Sequence, residues 1–107
     1  MRILTILLIA LAFSISSFAQ QGVQERAKKI TDEMTVVLSL DAETSEKVYN
    51  IQLKRFIDAQ AIRKTHKDDK EKMKEELKGL YNRLYGKLKG ILGQEKMKVW
   101  NQHKKNI

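Results

Sequence analysis

Neither cysteine nor proline occurs in the 107-residue chain. Without cysteine there is no disulfide, no thiolate metal site and no sulfur nucleophile. Without proline, a helix here is ended by glycine, by a capping side chain or by a run of charge. Histidine is scarce as well: His66 and His103 are the only two, whereas a metal centre ordinarily needs three or four converging ligands. No glycine-rich phosphate loop is present. The residues therefore argue against an enzyme, and no cofactor is expected.

Long apolar runs are confined to the beginning. Met1-Arg2 leads into an apolar run from Ile3 to Phe13, followed by Ser14-Ile15-Ser16-Ser17-Phe18-Ala19. A short basic start, an apolar run of that length, and small residues at the third and last positions before a cut describe a cleavable secretory signal peptide over residues 1–19. The run is short for a membrane span, and no cysteine follows the cut to carry a lipid. Residues 20–107 are then expected to form a single helical domain. Of the 21 basic residues only Arg2 lies in the signal, which leaves 20 against 13 acidic ones and a net charge of +7. So small a remainder suits one thin domain rather than a large core. Small extended helical proteins of this kind gain stability by oligomerising, so a dimer is expected.

The rest of the chain reads as four helices. From Gln20 to Leu38, Val23, Ala27, Ile30, Met34 and Val37 recur at helical spacing, ending at the apolar connection Leu38-Ser39-Leu40. Asp41 is a good N-cap with Glu43 in the turn behind it, and the helix it opens runs to about Thr65. Val48, Ile51, Ala59 and Ile62 form one apolar face of this helix, and Tyr49, Leu53, Phe56 and Ile57 form a second beside it. So broad an apolar surface exceeds a single packing contact: either the helix is wedged between two neighbours with Arg55 reaching outward, or part of the surface is left for binding. Lys64 to Lys72 is a solvated turn, with Asp68 or Asp69 as the next cap. A long amphipathic rod then spans Asp68 to Leu92, its stripe formed by Met73, Leu77, Leu80, Leu84, Leu88 and Ile91 and widened by Tyr81, Tyr85 and Leu92. Gly79, Gly86 and Gly90 interrupt its composition, either as tolerated residues or as places where a backbone approaches closely or the rod bends. After Gly93, residues Gln94 to Lys104 form a last short helix with Met97 and Trp100 inward.

Two parts of the chain repeat each other. Leu40-Asp41-Ala42-Glu43 opens one helix and Leu92-Gly93-Gln94-Glu95 another; Lys47-Val48-Tyr49-Asn50 and Lys98-Val99-Trp100-Asn101 follow, with one residue of slippage. The doubled element resembles the leucine-threonine-x-x-glutamine motif of the Spy/CpxP family of small exported bacterial proteins, in which it occurs twice. Leu40, Leu92, Glu43 and Glu95 fit the resemblance; Asp41 and Gly93 stand where threonine is usual, and Thr44 and Lys96 where glutamine is usual. The resemblance implies an all-α fold of four helices with a long third one, paired as an antiparallel dimer in a shallow cradle in the periplasm. It further implies an ATP-independent chaperone that holds unfolded or partly folded envelope proteins. Other members of the family inhibit envelope-stress sensor kinases, and another group binds zinc or nickel.

The basic charge is the remaining clue. Export argues against nucleic acid as its partner, although anionic lipid headgroups at a membrane surface would suit it. For a client-holding protein, charge speeds encounter while scattered apolar side chains supply affinity without demanding one sequence. Lys54, Arg55, Phe56, Ile57, Ile62 and Arg63 are the expected client-binding positions. The first alternative is a regulator whose basic face docks on the periplasmic domain of a sensor kinase. The second is a metal-binding envelope protein, for which His66 with Asp68 and Asp69 is the one conceivable cluster; a solvated turn is the better account of those residues.

Overall fold

In the computed structural model, residues 21–106 are described. The expected signal peptide lies outside them. The described residues form four α-helices and no strand: α1 over residues 21–38, α2 over Ala42–Thr65, α3 over Lys70–Leu92 and α4 over Gln94–Lys105.

Each boundary has a local cause. Ser39 sits at φ 52°, and the Leu40 amide donates back to the Thr35 carbonyl at 3.0 Å. This is the six-residue closure that ends many helices, here with serine where glycine is usual. Asp41 then caps α2 by accepting the Thr44 amide at 2.7 Å. Of the two aspartates before α3, it is Asp69 that caps, accepting from the Lys72 amide at 3.1 Å, so the rod begins at Lys70 rather than Asp68. Gly93 separates α3 from α4 alone, at φ 85° and ψ 164°. A side chain is strongly disfavoured there, and the chain reverses within one residue.

The helices α2 and α3 form an antiparallel hairpin. Near its turn, Ala59 and Ile62 of α2 pack with Leu77, Leu80, Tyr81 and Leu84 of α3. At the other end α1 and α4 join them, and Met34, Leu38, Leu40, Val48, Leu88, Leu92, Met97 and Trp100 form one buried cluster. Polar contacts fasten α1 to both neighbours: Thr35 to Ser45 at 2.8 Å, and Glu33 to His103 at 2.9 Å.

Two stripes differ from their sequence reading. On α3, Leu92 is buried at 8% exposure whereas Ile91, expected inward, is 37% exposed. The buried leucines Leu80, Leu84, Leu88 and Leu92 recur every four residues, and each such step overshoots a full turn by about 40°. The buried face thus winds round the rod from α2 towards α4. On α1, Thr31 and Leu38 are buried, while Ile30 and Val37 lie partly covered at the margin. Thr31 can sit inside because its hydroxyl donates to the Ala27 carbonyl at 2.6 Å.

The interior glycines of α3 have room for a side chain. A Cβ at Gly86 or Gly90 would have no atom within 4 Å, and one at Gly79 only the Arg83 guanidinium at 3.6 Å. Gly86→Ala is therefore expected to stabilise the isolated chain by about 1 kcal/mol. Gly93→Ala should destabilise it by about 1–3 kcal/mol, because the left-handed turn would carry a side chain. Urea unfolding of both variants beside the parent, at a protein concentration low enough to keep the chains apart, checks the opposite signs.

Candidate functional site

A cavity of about 230 Å³ opens where the four-helix end gives way to the two-helix hairpin. Every helix contributes: Ile30 from α1; Ile51, Gln52 and Arg55 from α2; Tyr81, Leu84, Tyr85 and Leu88 from α3; Met97, Trp100 and Lys104 from α4. Its wall is mainly apolar and aromatic, with two cations and no carboxylate.

Arg55 is the cation of this wall with the most contacts to its neighbours. Its position follows from helix geometry, since Val48, Gln52, Arg55, Ala59 and Ile62 are spaced by three and four along α2 and share one face. The face is buried at Val48, Gln52 and Ala59. The Arg55 guanidinium lies 5.2 Å from the Phe56 ring centre and 5.4 Å from that of Tyr81. Its Nη1 donates to the Gln52 Oε1 at 3.2 Å. Gln52 is itself only 2% exposed, and its amide nitrogen reaches the Met34 sulfur at 3.5 Å, a weak acceptor. Nearby, Arg63 donates to the Tyr81 hydroxyl at 3.3 Å. The five ion pairs among the described residues include neither arginine.

Of the six expected client-binding positions, the structure brings Arg55 and Arg63 to Tyr81, with the Phe56 ring against Arg55. Ile62 is partly buried against the hairpin core. Lys54 and Ile57 lie towards the outer side of α2, well away in angle from Ala59. There Lys54 pairs with Asp58 at 3.0 Å, and Ile57 is 42% exposed. The set therefore divides between two sides of the helix. Gln52 and Lys104 escaped the sequence reading, which placed Tyr81 and Trp100 on apolar stripes and gave them no part in a site. Gln52 left a signal there, a polar residue four positions after Val48 on the inward stripe; the meeting of the others needs the tertiary packing.

The doubled element comes together in space. Leu40 and Leu92 share one buried cluster, and the Lys96 charge acts on the Asp41 carboxylate. Glu43, Glu95 and Lys96 are exposed, while Thr44 is partly covered. The structural repeat follows the leucines rather than the later letters: eight residues beyond them lie Val48 and Trp100, both buried, whereas Val99 is 48% exposed. The register set by the leucines is kept in both copies, and the one-residue slippage means that the later letters match without occupying equivalent positions. As for metal, no group of three or more His, Asp or Glu side chains among the described residues could hold an ion. His103 instead pairs with Glu33 and stacks on Trp100 at 5.4 Å.

Hydrogen bonds from Thr44, side chain first and backbone second, hold the Asp41 carboxyl below its ordinary value, and Lys96 and Lys47 add to the effect. A lowered folded-state value means stability that is present above the unfolded-state value and is lost as pH falls through the folded one. Asp41→Ala should therefore lower urea-unfolding stability at neutral pH. The gap from the parent should close in strong acid, where both proteins lack the charged cap.

Compared with known proteins, the chain matches no family model, no curated protein and no solved structure.

Proposed function

We propose that this is an ATP-independent holdase of the periplasm, a divergent relative of the Spy/CpxP family that works as an antiparallel dimer. The observation that supports this reading best is the Arg55–Phe56–Tyr81–Arg63 group, cationic and aromatic together and without an acidic partner among the described residues. Aromatic faces and guanidinium groups accept many side chains without selecting one sequence. Tyr85, Ile91 and Val99 add exposed apolar surface on α3 and α4. The net charge of the region after residue 19, +7, draws in unfolded chains that carry acidic residues. Binding of this kind is weak and reversible, and it needs no nucleotide.

The bare glycine side of α3, where a second backbone could approach, supports the pairing of two chains. In sedimentation the purified protein is expected to run as a two-chain species.

Aggregation of an unrelated unfolding protein should be suppressed at modest molar excess, without ATP and at low salt. Exchanging both Arg55 and Arg63 for glutamate should slow client association on the order of tenfold while the helical content is kept. Failure to suppress aggregation at low salt would sink the holdase reading and leave docking on a sensor-kinase domain as the better use of the same cations.

A further inference from the structure

The cavity itself has a chemistry that holding unfolded chains does not require. We propose that it is a binding site for a small monocarboxylate with an apolar body, such as a medium-chain fatty acid. The inference does not depend on the holdase reading.

Size is the first argument. An apolar cavity of about 150 Å³ accommodates benzene, so 230 Å³ accepts a somewhat larger body, such as an eight-carbon chain. Leu84, Leu88, Met97 and Trp100 supply the apolar wall from two helices. Charge is the second. Arg55 and Lys104 line the cavity, no acidic side chain does, and neither residue belongs to an ion pair among the described residues. A cationic ligand would meet repulsion there, and a neutral one would leave the charges unused.

Preorganisation is the third. A guanidinium remains charged at any ordinary pH and offers a planar fork of donors that matches a carboxylate. In this fold Gln52 Oε1 takes one Arg55 donor at 3.2 Å, and two rings flank the group. The side chain is thus already oriented, and the remaining donors await an acceptor. Carboxylate binding would cost little reordering of Arg55.

The test uses Trp100, the only tryptophan of the chain and part of the cavity wall. Octanoate, octanol and octylamine are titrated separately into the purified protein, with Trp100 fluorescence and calorimetry as readouts. Octanoate should bind saturably with a Kd of roughly 0.1–1 mM and change the Trp100 emission, while octanol binds more weakly and octylamine not at all. Arg55→Gln should weaken octanoate about tenfold or more and leave octanol unchanged, which also shows that the cavity has kept its shape. Lys104→Gln, on the exposed last turn of α4, should weaken octanoate severalfold without disturbing Gln52.

No saturable octanoate binding, equal affinity for octanol, binding without a Trp100 response, or indifference to both substitutions would each overturn the proposal. A protein that binds octanoate but fails to hold clients would retain this site and lose the holdase function. The reverse result would do the opposite.

Discussion

Burial of Trp100 is the interaction on which the four-helix end depends. Its ring comes from the short α4, yet it lies in one cluster with Met34 and Leu38 of α1, Val48 of α2, and Leu88 and Leu92 of α3. A chain without cysteine has no disulfide to keep four helices together. An aromatic side chain removes about 150–250 Å² from water on burial. At roughly 25 cal/mol per Å² this is about 4–6 kcal/mol as an upper value, comparable with the whole net stability of a small domain. The ring reaches its place because Gly93 reverses the chain within one residue. The glycine and the tryptophan are thus two halves of one device.

The same packing creates the site. The hairpin core near the turn is built by α2 and α3 alone, whereas the other end draws on all four helices. At the step between these two thicknesses, side chains that would be covered in an even bundle remain half open. Tyr81 and Phe56 present ring faces there, and Arg55 lies against both. Tyr85 also remains at the surface, held by the Asn101 amide at 2.9 Å. The cavity is a consequence of unequal cover, and its aromatic lining follows from where that cover ends.

Local rules carried most of the fold. Asp41, Asp69, Gly93 and the charged turn from Lys64 marked the helix ends because capping and chain reversal are decided by a few neighbouring residues. Helical spacing placed Leu80, Leu84 and Leu88 inward. It misplaced Ile91 because a fixed stripe assumes one partner along the whole rod, whereas α3 changes partners from α2 to α4. Thr31 was missed for a different reason, since its hydroxyl is satisfied by the preceding turn and the residue then packs like a small apolar one. For the site, Arg55, Phe56 and Arg63 were visible as a basic and aromatic group on α2. Their meeting with Tyr81 spans eighteen residues of sequence for Arg63, and no local periodicity encodes a contact across a hairpin.

Arg55 shows why the missing acid matters more than the basic charge itself. A guanidinium cannot shed its proton when covered, so a fold that draws one into an apolar seam must surround it with acceptors or ring faces. A carboxylate would do this most directly, but a buried ion pair contributes little net stability once both groups are desolvated, and it would cancel the positive potential. Here the neutral Gln52 oxygen and two rings serve instead. They orient the cation without neutralising it. Gln52 in turn lies buried with only the Met34 sulfur for its amide nitrogen, a poor exchange for water by stability alone. The polar group is therefore better explained by the arginine it holds than by the core it occupies, and that places the chemical interest of this small protein at the wall shared by its four helices.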